Sequence, residues 1–177
     1  MIRKVSLLPL LILLFLLTAF TFPDKGDKSR SPKINWLTME EAEAKIKKQP
    51  RKVIIDVYTD WCGWCKKMDK STFTDPAVVD YINKHYYAVK LDAEGKAPIT
   101  VGGKTYTYNQ QYRSHELAVA LLQGQMSYPT TVYLDEQFNM LTPVPGYLDA
   151  PTLTKILTYF GGNHHKSMTW QEFGKRK

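Results

Sequence analysis

The sequence predicts an α/β domain, and three observations predict it. Apolar runs rich in β-branched and aromatic residues recur at residues 52–58, 86–92 and 128–134, each short enough to be a buried strand. Segments of helical spacing lie between them, opened by residues that cap helix N-termini. The only two cysteines, Cys62 and Cys65, follow the first run directly, at a strand-to-helix junction. A chain of 177 residues suits one domain with a real core.

The elements can be justified in order. Residues 34–37 read as a short edge strand. Thr38 and Glu41 have the spacing of a capping box. The helix they open runs from Met39 to about Lys48, with Ala42 and Ile46 on one face, and stops at Pro50. The first central strand follows, dense enough in apolar residues to be covered on both faces. Asp56 falls inside it. A charge in a central strand is costly without a reason. A buried carboxylate near the thiols, with a raised pKa and able to move a proton, supplies that reason better than an edge or capping position. Helix-forming residues follow Cys65, and Ser71-Thr72-Phe73-Thr74 interrupts them. Asp75 as N-cap and Pro76 at the first position restart a helix with Val78, Val79 and Ile82 on its apolar face. The strand at 86–92 contains a second charge, Lys90, placed to pair with Asp56 from a neighbouring strand.

From 93 to 111 the composition shifts. Gly102-Gly103, flanked by β-forming residues, predicts a hairpin over 99–106. Ser114 is the expected N-cap of a helix from Glu116 to Gln123, closed by Gly124. The run at 128–134 is opened by Pro129, and residues 138–144 are its expected antiparallel partner. Pro145-Gly146 punctuates the chain. The last helix starts after Asp149 and ends at Gly161-Gly162, leaving a polar basic tail in which His164 and His165 are expected to be solvated.

The N-terminus reads as a targeting segment. Arg3 and Lys4 precede an almost wholly apolar stretch, residues 7–17. It fits a signal peptide cleaved after Ala19, or an uncleaved anchor, since residues 5–22 are nearly long enough to span a bilayer. No cysteine lies near it, which argues against a lipid anchor. Either way the folded part is expected in the extracytoplasmic space. Export permits a structural disulfide. A bridge between Cys62 and Cys65 would close too short a loop to stabilise much. The spacing therefore points to a redox pair, whose first sulfur at a helix N-terminus is favoured as a thiolate. No second Cys/His pair at ligand spacing is present, so no metal is expected. The formal charge of +7 is spread along the chain with no basic stripe interleaved with stacking aromatics, so no nucleic-acid partner is expected.

The order strand, CxxC helix, strand, helix, proline-led strand, strand, helix, together with Trp61-Cys62-Gly63-Trp64-Cys65, resembles the thioredoxin superfamily. Asp56 stands six residues before the first cysteine, where that superfamily carries a buried aspartate. Lys90-Leu91-Asp92 matches the strand with its lysine partner. Tyr128-Pro129-Thr130 matches the X-Pro-Thr whose proline is cis and faces the disulfide, and Gly146 matches the glycine before the final helix. Trp-Cys-Gly-Trp-Cys-Lys-Lys-Met, followed by Thr-Phe-x-Asp-Pro-x-Val, is similar to exported bacterial thioredoxin-like proteins, including the C-terminal domains of thiol:disulfide interchange proteins.

The resemblance implies a thioredoxin-like fold, a central mixed β-sheet flanked by helices, with a hairpin insertion before the cis-proline strand. It implies four segments: signal or anchor at 1–22, linker at 23–33, thioredoxin-like domain at 34–163 and tail at 164–177. It implies that Cys62 attacks and is the more exposed sulfur. Cys65 then resolves the mixed disulfide with proton transfer through Asp56 and Lys90. Trp61, Gly63, Trp64, Tyr128 and Pro129 line the substrate groove. Packing in the core is an alternative for Trp61 and a poor one for Trp64. No cofactor beyond the Cys62–Cys65 disulfide is implied. The implied partners are extracytoplasmic protein thiols and disulfides, and a membrane electron donor.

Two departures from the family pattern matter. The dipeptide is Gly63-Trp64, without the histidine of strong oxidants, which favours a reducing or intermediate potential. The segment 93–111 is an insertion that either selects a partner or is a solvated hairpin without a role. The leading expectation is an exported thiol–disulfide reductase. The alternatives are a disulfide oxidase or isomerase, a thioredoxin-fold binding or chaperone module with permanently paired cysteines, and handling of metal or haem apoproteins.

Overall fold

A computed structural model describes residues 32–176. The targeting segment and nearly all of the expected linker lie outside these residues. Five strands form one sheet in the order β1-β3-β2-β8-β9. The edge strand β1 (Trp36–Leu37), β3 (Tyr86–Asp92) and β2 (Lys52–Tyr58) are mutually parallel. β8 (Thr130–Leu134) runs antiparallel to β2, and β9 (Met140–Pro145) antiparallel to β8. The sheet is therefore mixed, as expected.

Side-chain alternation along β2 divides the core in two. Val53, Ile55 and Val57 pack under α1 (Met39–Lys48) and α4 (Glu116–Leu121). Ile54 packs on the opposite side with Met68 of α2 (Gly63–Lys70), Val78, Val79 and Ile82 of α3 (Pro76–His85), and Leu153, Ile156 and Leu157 of α5 (Ala150–Gly161). Asp56 shares the parity of Ile54, so it faces the layer that carries the cysteines. The Thr38–Glu41 capping box forms, and Asp75 caps α3 with Pro76 in its first turn. The break after α2 is a 3-10 turn at Thr72–Thr74. Ser71 and Thr74 hydroxyls donate there to carbonyls of the preceding turn, and Thr72 Oγ1 donates to the Leu148 carbonyl at 2.6 Å.

Between β3 and α4 the chain makes two small hairpins, the second of which reaches past the expected 93–111 segment. β4 (Ile99–Val101) pairs with β5 (Lys104–Tyr106) through Gly102 and Gly103, both at positive φ. β6 (Tyr108–Asn109) pairs with β7 (Ser114–His115). The first hairpin is tied to α1: Glu40 Oε1 accepts the Thr100 N–H at 3.1 Å.

Four expectations need correction. The N-cap of α4 is His115, whose Nδ1 accepts the Leu117 N–H at 3.2 Å, while Ser114 is buried in β7. α4 stops at Leu121, because Gln123 and Gly124 both take left-handed φ. Phe138 belongs to the turn, at φ 70°, and β9 starts at Met140. Residues beyond Gly162 are mostly exposed, as a polar tail should be, but not without structure. They form a 3-10 turn at His164–Lys166 and a short α6 (Trp170–Gly174) with its own capping box, Thr169 with Glu172. The reason is aromatic packing. Tyr159 meets Trp170 and Phe173 at ring distances of 5.3 and 5.2 Å, and its hydroxyl donates to the Met168 carbonyl. His164 and His165 are half-buried, with His165 against Tyr159 and Phe160.

Candidate active site

Cys62 is the N-cap of α2. Its Sγ accepts the Cys65 N–H at 3.0 Å, and the two sulfurs are bonded at 2.07 Å. A two-residue spacer at a helix start brings the Cα atoms to 5.3 Å, within disulfide reach. Both residues are buried. Cys62, at 4% exposure, is no more open than Cys65 at 3%, so the expected difference between the sulfurs is absent in the bridged state. Gly63 opens α2 at the surface, and a Cβ there would meet no atom within 4 Å.

The two tryptophans are exposed at 66% and 56%, which removes core packing as an account of Trp61. Trp61 stands edge-on to Tyr128 with ring centres 5.8 Å apart and donates its indole N–H to Glu94 Oε1 at 3.0 Å. The Tyr128–Pro129 peptide bond is cis. The Pro129 carbonyl accepts the Gly146 N–H at 2.8 Å, and Gly146 sits at φ 95°, where a side chain is strained. Trp64 lies 5.3 Å from Tyr147, and the Lys67 ammonium stands over both rings.

Behind the disulfide helix, the register pairs Asp56 with Lys90 across β2 and β3. Lys90 Nζ donates to Asp56 Oδ2 at 2.9 Å and also to Asp69 on α2. Asp56 Oδ1 is buried with no partner among the described residues. Burial pushes the Asp56 carboxyl above its ordinary range, against the pull of Lys90. Burial works to lower Lys90, but Asp56 and Asp69 outweigh it and hold the ammonium above its usual pKa. A cleft of about 390 Å³ reaches Lys90 from the surface, lined by Thr38, Glu40, Lys96 and His115 among others. The ion cluster thus has a side toward solvent.

All nine expected site residues are accounted for. Asp56, Lys90 and Cys65 belong to the layer behind the surface; Trp61, Gly63 and Trp64 surround Cys62; Tyr128 joins through its ring contact with Trp61, and Pro129 follows it across the cis bond. Four neighbours were missed. Asp69 stands four residues after Cys65, a helical repeat that offered a signal. Glu94, Lys67 and Tyr147 enter through tertiary contacts that sequence spacing does not disclose.

Residues 39–161 match the family described as a thioredoxin-like domain. The chain belongs to that family. Among curated relatives, the thiol:disulfide interchange protein DsbD of Pectobacterium atrosepticum is 28% identical over 117 residues, covering 65% of this chain and 17% of the relative. DsbD of Cronobacter sakazakii is 31% identical over 123 residues, covering 67% and 18%. The chain therefore spans less than a fifth of the length of these relatives. A putative disulphide-isomerase from Bacteroides thetaiotaomicron superposes with a TM-score of 0.55 at 24% identity, over 80% of this chain and all of that one. DsbH oxidoreductase gives 0.54 at 15%, over 77% and 92%. These structural likenesses show the fold. Family membership, the relatives and the bonded cysteine pair together support thiol–disulfide oxidoreductase activity at Cys62 and Cys65.

Proposed function

We propose that the protein is an exported reductase of disulfides in extracytoplasmic proteins. The observation that carries this is the Cys62–Cys65 bridge at the start of α2, flanked by exposed tryptophans and backed by the Asp56–Lys90–Asp69 cluster. In the reduced protein, the Cys62 thiolate attacks one sulfur of a substrate cystine. A mixed disulfide forms and the first substrate thiolate leaves. Cys65 then loses its proton toward Asp56, and its thiolate attacks Cys62 Sγ. The second substrate thiolate leaves, and two electrons have passed from the dithiol to the substrate. A dithiol donor at the membrane restores the reduced state.

Local charge supports the reducing direction. Gly63-Trp64 places no imidazolium between the cysteines. Two carboxylates against one ammonium leave the layer behind them net negative, which disfavours a thiolate. A less stabilised thiolate means a less oxidising pair. Pro129 and the Tyr128 backbone are suited to hold an extended substrate segment. Export rests on Arg3, Lys4 and the apolar residues 7–17. Assaying the reduced protein on a cystine-containing substrate protein tests the reading: stoichiometric release of substrate thiols is expected. Cys62→Ser is expected to abolish it, and retention of the reaction in that variant would overturn the proposal.

A further inference from the structure

We propose that the rim of the disulfide is a charge-polarised surface that selects an extended protein segment whose cystine carries an acidic flank on one side and a basic flank on the other. The inference rests on thiol exchange at Cys62 and names the substrate class for it.

The two walls differ in sign. On one side stand Trp61 and Tyr128 with three carboxylates. Glu94 is fixed twice, since its Oε1 holds the Trp61 indole and its backbone N–H is held by Asp92 Oδ1 at 2.9 Å. Asp60 is exposed beside Trp61, and Asp92 and Asp60 both lie near enough to Tyr58 to push its hydroxyl pKa up, after burial and against the pull of Lys90. The one lysine in the adjoining turn, Lys96, is turned onto the Tyr108 ring. On the other side stand Trp64 and Tyr147. The Lys67 ammonium is fixed 4.7 and 5.1 Å from their ring centres. The carboxylates there are engaged elsewhere: Asp69 on Lys90, and Asp149 on the N–H of Thr152 as the cap of α5. Gly63, with open space where a side chain would stand, separates the walls.

The flanking rings offer apolar contact on both sides, so the signs of the walls are what distinguish one end of a bound segment from the other. Rim charges act on encounter rate and on register. A segment that pairs with the backbone beside Pro129 has one direction, so the polarity reads which flank of the cystine is acidic.

The test uses two short peptides of identical composition, each with one cysteine capped by β-mercaptoethanol. One carries glutamates before the cysteine and lysines after; the other has the reverse order. Each turnover oxidises the Cys62/Cys65 dithiol to its disulfide and reduces the peptide's disulfide to two thiols, so no further reductant is needed. Rates are read from acid-quenched single turnovers. One order is expected to react about 5-fold faster at low ionic strength, from two or more exposed charge contacts, and the ratio should approach one at high salt. The pair Glu94→Gln with Lys67→Met keeps the acceptor for Trp61 and should bring the ratio to about one. Glu94→Lys with Lys67→Glu should invert it. Equal rates for the two orders in the unaltered protein, or a ratio that neither pair of substitutions moves, overturns the polarity alone. Failure of the unaltered protein to reduce either peptide overturns the exchange reading and the polarity with it.

Discussion

Asp56→Asn is expected to stabilise the oxidised protein at neutral pH. The Asp56 side chain is 2% exposed, one carboxylate oxygen is buried without a partner among the described residues, and the other is held by Lys90. The substitution removes a buried charge, keeps an acceptor for Lys90, and leaves that ammonium paired with Asp69. Replacing a buried ion pair by neutral groups often gains about 1–4 kcal/mol when no buried charge is left unpaired. An unpaired amide N–H₂ would remain where the orphan oxygen was, which offsets about 1 kcal/mol. The expected gain is therefore about 0–3 kcal/mol. Its pH dependence follows from the raised folded-state pKa. Asp56's favourable contribution is full below the unfolded aspartate value, about 3.9, and is lost as pH rises through the folded value. The advantage of the variant should thus vanish in acid, grow as pH rises, and level off. Urea unfolding of both proteins across that range measures it. A variant less stable than the unaltered protein at neutral pH would show that the Asp56–Lys90 pair is net stabilising, and would refute the reasoning.

Three further outcomes are expected. Lys90→Met leaves Asp56 and Asp69 facing each other without their shared cation, and should cost about 3 kcal/mol at neutral pH, shrinking as both carboxylates protonate in acid; a pH-independent loss in urea unfolding would contradict this. Gly146→Ala puts a Cβ at φ 95° and should cost about 1–2 kcal/mol, read as a lowered melting temperature; an unchanged melting temperature would deny the strain. Trp170→Ala should cost about 2 kcal/mol through lost packing on Tyr159 while leaving single-turnover thiol release unchanged. A fall in that rate would tie α6 to the site.

Much of the fold was legible because local and global signals agree. β2 and β3 are so apolar that only a sheet covered on both faces suits them, and their boundaries followed from composition. Asp56 and Lys90 stood out as charges inside such strands, and pairing was the one inexpensive arrangement for both. The capping box at Thr38 and the Asp75-Pro76 start were readable from side-chain chemistry alone. What escaped reading depends on tertiary contact. His115 caps α4 although serine is the better local candidate, because β7 runs to His115 and the helix starts only at Glu116, which puts the His115 Nδ1 within reach of the Leu117 N–H. Asp69 looks like one more charge in a lysine-rich helix until β3 brings Lys90 to it. Glu94 meets Trp61 from 33 positions away. α6 is too short to be stable by itself and exists because Tyr159 offers Trp170 and Phe173 a surface.

The central claim is tested most directly by the equilibrium reduction potential of the Cys62–Cys65 pair against a dithiothreitol or glutathione buffer. A potential near that of thioredoxin, about −270 mV, is expected, and would mark a protein that delivers electrons to substrate cystines. A potential near about −120 mV, that of a strong oxidant, would contradict the account and make disulfide donation the reaction.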